Sequence, residues 1–263
     1  MSGIQMALLG SGKKLVKQVA IITAGTSVTL PSSWNPANNT IEVIGGGKGG
    51  RDGGGGMAGA AGGGGSYAKI SNFGSPSTSY TISVGQGSLD AYPTVSNGGN
   101  TWFSSTGVAP TSISEGVLAA GGGYTSSIGT TTFSGGNGGG NTNGGGGAAG
   151  PNGNGLSASG TSGGQGDASF GGAGGTAGNN GSNGSEWTAT SNTITGTGIA
   201  LLSPSTTAGS GGGGGGDGGL FNGAGGGGNY GAGGGGGNWY NPDPSPTNGG
   251  QGTNGIIVLT WYA

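Results

Sequence analysis

The chain contains no cysteine and no histidine among its 263 residues. These absences exclude disulfide bonds, thiolate metal sites and the usual zinc sites, together with nucleophilic systems of the Ser-His-Asp or Cys-His kind. The eight carboxylates are scattered in the sequence, and two-carboxylate hydrolysis would require the fold to bring a pair together. We therefore predict a protein that is not an enzyme and that uses no cofactor and no metal.

Charge and long hydrophobic runs are also scarce. Only 5% of the residues are charged, with a formal net charge of −2, so no basic face for nucleic acid is expected. No apolar run reaches the roughly 18 residues that a transmembrane helix needs, so we expect no membrane insertion. Disordered segments normally carry many charged and solvating residues such as Lys, Glu and Gln, whereas only 5% of this chain is charged and 29% is apolar. The composition favours an ordered or assembled state.

Glycine dominates what is present, with 78 residues. Collagen requires glycine at every third position and abundant proline, whereas the run 211–216 breaks that frame and only 10 prolines occur. The longest tract, 209–237, is either a disordered tether or a set of packed helices of the polyproline II type. Such helices have three residues per turn and no internal hydrogen bonds, so their backbone groups need partners on neighbouring helices. We favour the packed form. Because glycine loses more entropy than alanine on ordering, we also expect an oligomer.

Short alternating segments between the tracts predict β-strands. Residues 40–44 favour a half-buried strand with Ile41 and Val43 inward, and 79–84 places Tyr80, Ile82 and Val84 on one face. The continuous apolar run 255–262 suits a strand buried on both faces. Residues 185–202 suggest an inserted hairpin. Further strands are predicted at 18–24, 27–30, 66–73, 101–103 and 113–120. No amphipathic helix is evident, so the predicted fold class is all-β.

The first 17 residues differ from the rest. A short apolar cluster precedes lysines, which favours a docking peptide over 1–17, followed by a glycine-rich β-sandwich and polyglycine-helix domain over 18–263. A frayed terminus is the alternative. The candidate docking residues are Ile4, Met6, Leu8, Leu9, Lys13 and Lys14.

The order of motifs over roughly residues 25–263 resembles the glycine-rich domains of phage tail-fibre and other virion proteins. The resemblance is carried by Ile41-Glu42-Val43-Ile44-Gly45-Gly46-Gly47, by Tyr80-Thr81-Ile82-Ser83-Val84-Gly85, by Leu118-Ala119-Ala120-Gly121-Gly122-Gly123 and by the C-terminal Gly255-Ile256-Ile257-Val258. It implies a jelly-roll sandwich of the tumour-necrosis-factor type with a bundle of polyglycine II helices. It also implies a virion protein, commonly trimeric, at or near a surface-exposed tip.

Aromatic residues on stiff loops are the candidates for binding, because they supply contact area at low entropic cost. The loop 238–246 ranks first, since three prolines and flanking glycine stems would hold it rigidly. Each ring could instead cap the glycine bundle or pack at a subunit interface. The candidate receptor-binding residues are Trp239, Tyr240, Asn241, Asp243, Tyr230, Phe221, Leu220, Trp187 and Tyr92.

The leading hypothesis is a tail-fibre or tail-tip adhesin on the virion surface. It would form a homotrimer, attach to other virion proteins through its N-terminus and bind a host surface glycan or outer-membrane protein. The alternative is a purely structural decoration or fibre-joining protein of the head or tail. An ice-binding or extracellular matrix protein is a third hypothesis, which the missing cysteines disfavour.

Overall fold

Short strands alternate with long glycine segments throughout the computed structural model, which describes residues 14–54, 57–88, 90–91, 94–141, 143–216, 223–238 and 247–263. These residues contain no α-helix, and so none that could span a membrane. The strands in chain order are β1 (Lys17–Ala24), β2 (Ser27–Thr29), β3 (Asn39–Ile44), β4 (Tyr67–Ser71), β5 (Ser79–Ser83), β6 (Asp90–Ala91), β7 (Thr94–Val95), β8 (Thr101–Ser104), β9 (Gly116–Ala119), β10 (Thr131–Phe133), β11 (Trp187–Thr188), β12 (Ala200–Leu201), β13 (Thr207–Ala208) and β14 (Ile256–Tyr262).

Two antiparallel sheets pack face to face. The larger has the order β10-β4-β3-β14-β1-β12 and the smaller β2-β5-β8-β9, while β6-β7 and β11-β13 are separate pairs. Inward residues of both sheets form one hydrophobic core, including Ile22, Ile41 and Leu259 from the larger sheet and Ile82 and Phe103 from the smaller. The all-β class is confirmed, and the arrangement is consistent with the predicted jelly-roll-like sandwich.

The outer face of the larger sheet is buried as well. Ile21, Ile44 and Val258 on this face pack with Ala148 from a glycine segment and with Trp187 in a second core cluster. The terminal strand β14 is therefore buried on both faces, as its continuous apolar sequence predicts.

The prediction for β3 is right on one face and wrong on the other. Ile41 and Val43 point into the sandwich core as expected. Glu42 and Ile44, on the opposite face, are also buried, so the strand is not half-buried. The reason is a third layer, formed by residues 148–149, 187–189 and 208, that covers this side of the sheet.

Hydrogen bonds between the glycine segments recur at every third residue. One such series joins the first glycine tract, residues 45–65, to the segment 247–253 with N–O distances of 2.7–3.1 Å: Gly47 donates to Thr253, Gly50 to Gly250 and Gly53 to Thr247. Intervening residues donate to the later part of the same tract, Lys48 to Gly63 and Arg51 to Ala60. A three-residue period with partners on several sides is the pattern of packed polyproline II helices, since each turn presents its groups to successive neighbours. The tract 209–237 shows the same period in its described part, since Gly211 and Gly214 donate to Tyr230 and Gly233, so this part is packed as predicted.

Neighbouring rods run in both relative directions. The series from the first tract to 247–253 is antiparallel, whereas Gly172, Gly175 and Gly178 donate to Ser210, Gly213 and Gly216 in a parallel series. All these bonds lie within one chain. The backbone groups named here thus find their partners on other segments of the chain.

The rods that follow β3 and precede β14 leave the sandwich at the same end. Gly45 directly follows β3, and Gly255 directly precedes β14. Gly255 donates to the carbonyl of Gly85, which follows β5 by two residues, at 2.8 Å. The opposite end of the sandwich, which we call the basal end, holds Val16 and Ala263, hydrogen-bonded to each other at 2.8 and 3.1 Å, and the loop 105–115 between β8 and β9.

The predicted hairpin over 185–202 is wrong in its pairing. β11 pairs with β13, outside that range, and β12 extends the larger sheet by pairing with β1. The two strands of the segment therefore do not pair with each other. The free edge of β1 offers unpaired backbone groups, and the segment satisfies them while its apolar residues reach both core clusters.

Candidate functional site

The flanks of the predicted binding loop lie together at those ends of the rods that are farthest from the sandwich. Asn238 and Thr247 border residues 239–246 and are hydrogen-bonded, the Thr247 amide to the Asn238 carbonyl at 3.0 Å and the Asn238 amide to Thr247 Oγ1 at 2.5 Å. Thr247 also accepts from the Gly53 amide at 3.1 Å, and Asn248 accepts from the Ala224 amide at 3.0 Å. The residues that follow the segments 217–222 and 239–246, namely 223–224 and 247–248, therefore lie beside each other.

Other turns reach the same place. The Gly216 amide donates to Thr161 at 2.8 Å, and the Gly178 amide donates to Gly216 at 2.8 Å. These contacts bring the turns 159–162 and 176–179 beside the flank of 217–222. We call the surface formed by 159–162, 176–180, 216, 223–224, 238 and 247–248 the distal end.

Most of the described side chains of the distal end are small and polar, with Ala177 and Ala224 as apolar members, and the Asp52 carboxylate lies beside them, accepting from the Gly249 amide at 2.7 Å. Ser159, Thr161, Ser162, Thr176 and Asn179 are exposed. Hydroxyl and amide groups of this kind suit a hydrogen-bonding surface that adapts to a partner, with stiff rods behind it.

Several predicted site residues lie outside the described residues. These are the receptor-binding candidates Trp239, Tyr240, Asn241, Asp243, Phe221, Leu220 and Tyr92, and the docking candidates Ile4, Met6, Leu8, Leu9 and Lys13. For the first six, the flanks of their segments lie at the distal end. Those residues remain predicted receptor contacts.

Trp187 is a core residue, which corrects its place among the receptor-binding candidates. Its side chain is only 7% exposed, and its indole N–H donates to Glu42 Oε2 at 3.2 Å. A ring in this position fills the third layer and presents almost no surface to a partner.

Tyr230 is half-buried against the second core cluster rather than displayed at the distal end. Its amide donates to Gly209 and its carbonyl accepts from Gly211, which places it at the sandwich end of its rod. Burial raises the pKa of its hydroxyl. Its position favours a packing role, which is the alternative to receptor binding that the sequence analysis gave for each aromatic ring.

The described part of the docking segment lies at the basal end. Lys14, Leu15 and Val16 are exposed, Leu15 by 53% and Val16 by 57%. Val108 and Ile113, in the loop 105–115 at the same end, are exposed by 63% and 50%. Val16 pairs with Ala263 and Lys17 begins β1, so the folded body starts slightly earlier than the predicted residue 18.

A buried polar cluster escaped the sequence reasoning, because its members are far apart in the chain. Asp167 is fully buried and accepts from the Asn152 amide and side chain, both at 2.9 Å, while Ser210 Oγ accepts from the Asp167 amide at 3.0 Å. Ser210 Oγ in turn donates to Glu186 Oε1. Within the described residues, Glu186 Oε2 is buried and has no hydrogen-bond partner. The carboxyl groups of Asp167 and Glu186 thus have a structural role, since their hydrogen bonds hold the rods to the third layer.

The Glu186 carboxyl makes stability depend on pH. Burial raises its pKa, against the lowering effect of its bonds to Ser210. A carboxyl whose pKa is raised in the folded state stabilises the protein below its ordinary pKa, and that contribution is lost as the pH rises through the raised value. We expect the free energy of unfolding to fall as the pH rises above about 4.5, and Glu186→Gln to flatten this part of the curve. Urea unfolding at a series of pH values measures it, and an unchanged slope in the variant would contradict it.

Comparison with known proteins gives one match. A family model described as a glycine-rich domain matches residues 22–262, which covers the sandwich and the rods together. A search of curated proteins returned no match. Among the described residues, no group of three acidic side chains is placed to hold a metal ion.

Proposed function

The chain belongs to the glycine-rich domain family, and we propose that it is a phage virion protein, a tail-fibre or tail-tip adhesin that binds the host cell surface. The observation that carries this proposal is that the two candidate sites lie at opposite ends of the molecule. The described residues 14–16 of the predicted docking segment lie at the basal end, whereas residues 223–224 and 247–248, which follow the aromatic segments 217–222 and 239–246, lie beside each other at the distal end. An adhesin requires this separation between attachment and recognition.

The rods supply a physical reason for the distal end to act as a binding surface. Their backbone groups are bonded to neighbouring rods at every third residue, so the flanks of the loops are fixed. Loop residues on a rigid scaffold can vary without disturbing the core. Aromatic side chains on such loops bind with little loss of conformational entropy.

The basal end suits attachment. Leu15, Val16, Val108 and Ile113 expose apolar surface there, and residues 1–13 continue from it. Apolar surface of this kind is typical of a contact with another protein. We propose that this end docks onto other virion proteins and that the assembled form is a homotrimer, exposed on the surface of the particle.

The receptor site is tested with particles that carry Trp239→Ala and Tyr240→Ala together. We expect their adsorption rate to host cells to fall at least about tenfold, because a central pair of aromatic anchors contributes several kcal/mol to binding. Phe170→Ala is the matched control, since Phe170 is 62% exposed and lies beside Asp167, away from the distal end. Equal adsorption by the double variant and the control would reject the distal site.

Deletion of residues 1–13 tests the docking end and leaves β1 intact. Particles should then lack the protein, while the purified truncated chain keeps the melting temperature of the full chain. Normal incorporation of the truncated chain would reject the docking role.

A decoration or fibre-joining protein is the second candidate, favoured by the fact that the rods need no receptor to be ordered. Particles without the protein would then adsorb at the normal rate. A large loss of adsorption in such particles would favour the adhesin.

A further inference from the structure

A shallow groove of about 640 Å³ lies where the smaller sheet meets the rods. It is separate from both the distal and the basal end. Its lining includes one aromatic side chain among amides and hydroxyls: Trp102, Gln86, Asn97, Asn100, Ser83 and Ser96. No described residue that lines it is charged.

The sheet itself turns the Trp102 ring outward. Thr101 and Phe103 are fully buried, so the alternation of a strand places Trp102 on the opposite face, where it is half-exposed. Trp102 pairs with Ser83 on one side and Leu118 on the other. The alternation in 101–103 was visible in the sequence, but the neighbouring groups of the groove come from separate segments.

Backbone bonds hold the walls of the groove. The Gly99 amide donates to the Gln86 carbonyl at 2.8 Å, which ties the two walls together. Asn100 Oδ1 accepts from the Gly121 amide at 2.9 Å, so the orientation of this amide is fixed. Gln86 is exposed, and its Nε2 donates to the Val84 carbonyl at 3.3 Å. The groove is thus formed in the free protein, with little ordering left for a ligand to induce.

We propose that this groove binds a neutral glycan. The apolar face of a sugar ring would stack on the Trp102 indole, and its hydroxyls would exchange hydrogen bonds with the amides of Gln86 and Asn97. No described residue of the lining is a cation, so a sulfated or sialylated saccharide would find no charge partner there, and a neutral saccharide is favoured. A volume of about 640 Å³ lies within the range of small-molecule sites.

The proposal deepens the proposed adhesin by naming one surface ligand, but its test requires no particle. The purified full chain is applied to a printed array of neutral and acidic oligosaccharides, and the best binder is titrated by calorimetry. We expect binding to neutral members, at least a tenfold loss of affinity with Trp102→Ala, and partial retention with Trp102→Phe, which keeps a ring.

Two further variants make the result decisive. Gln86→Ala alters the rim while leaving the strand intact, and it should weaken binding severalfold even if Trp102→Ala fails to fold. Tyr124→Ala removes a ring that is 53% exposed outside the groove, and it should leave affinity unchanged. Absence of binding to any array member, a preference for acidic members, or full affinity in both groove variants would overturn the proposal. So would a change in oligomeric mass with Trp102→Ala, since the ring would then belong to a subunit contact.

Loss of host adsorption with the distal variants, but no glycan binding, would reject the groove and leave the adhesin standing. Glycan binding with normal adsorption of the distal variants would reject the distal site and leave the groove standing.

Discussion

Gly213→Ala is expected to destabilise the protein by about 3 kcal/mol, because a methyl group at this position has no space. A Cβ on Gly213 would overlap the carbonyl of Gly145 on a neighbouring rod. The same residue donates to Gly164 at 2.7 Å and accepts from Gly175 at 2.9 Å, so a shift that relieves the overlap would weaken both bonds. The free energy of unfolding from urea titration measures the effect.

Gly226→Ala is the matched control from the same glycine tract. The nearest atom to its added Cβ is Asn180 Oδ1 at 3.5 Å, an ordinary van der Waals contact. Stability should change by less than about 1 kcal/mol, since alanine lowers the entropy of the unfolded chain. If both variants were equally stable, the rods would not be packed at the separations that the structure shows. If both were equally unstable, glycine would be needed for its backbone freedom rather than for close approach.

The second large effect is expected from Glu42→Ala. Glu42 is 7% exposed and accepts from the Tyr67 hydroxyl at 2.6 Å and from the Trp187 indole N–H at 3.2 Å. Burial and the neighbouring carboxylate raise the pKa of Tyr67 well above its usual range, so the hydroxyl stays protonated and donates. Removal of the carboxylate leaves two buried donors without their acceptor, each costing about 1–3 kcal/mol. The expected loss of stability is on the order of 4 kcal/mol.

A double-mutant cycle with Tyr67→Phe isolates this interaction. The variant that carries both substitutions should lose less stability than the sum of the losses in the two single variants, because the phenylalanine ring has no hydroxyl that needs an acceptor. Additive losses within about 0.5 kcal/mol would mean that Glu42 and Tyr67 do not interact in solution. Glu42→Gln should lose less than Glu42→Ala, since the amide keeps one acceptor oxygen.

The sequence indicated most of the strands, because an alternating pattern fixes the face on which each residue lies. Tyr80, Ile82 and Val84 are buried on one face, as predicted, and the terminal apolar run is the central strand of the larger sheet. The pattern failed for Glu42, since a carboxylate in an alternating strand usually faces solvent. The third layer that covers it comes from residues more than a hundred positions away.

The candidate site was predicted less completely. The glycine tracts predicted that packed, ordered rods would form. The structure places the flanks of 217–222 and 239–246 together at the distal end. The burial of Trp187 and the half-burial of Tyr230 could not be predicted, because the sequence around an isolated aromatic residue does not indicate which residues cover it. The Trp102 groove was missed because its lining comes from two segments, 83–88 and 96–102, that the fold brings together.

The sequence by itself determined the all-β class, the central place of the last strand and the packed state of the glycine tracts. These follow from local patterns: apolar alternation, an unbroken apolar run, and the absence of the charge that would keep the tracts in solution. Only the tertiary structure decided which rods are neighbours, which aromatic rings are covered and which end of the molecule each loop reaches. Glycine carries no side chain to specify a partner, so the pairing of rods depends on where the strands of the sandwich release them.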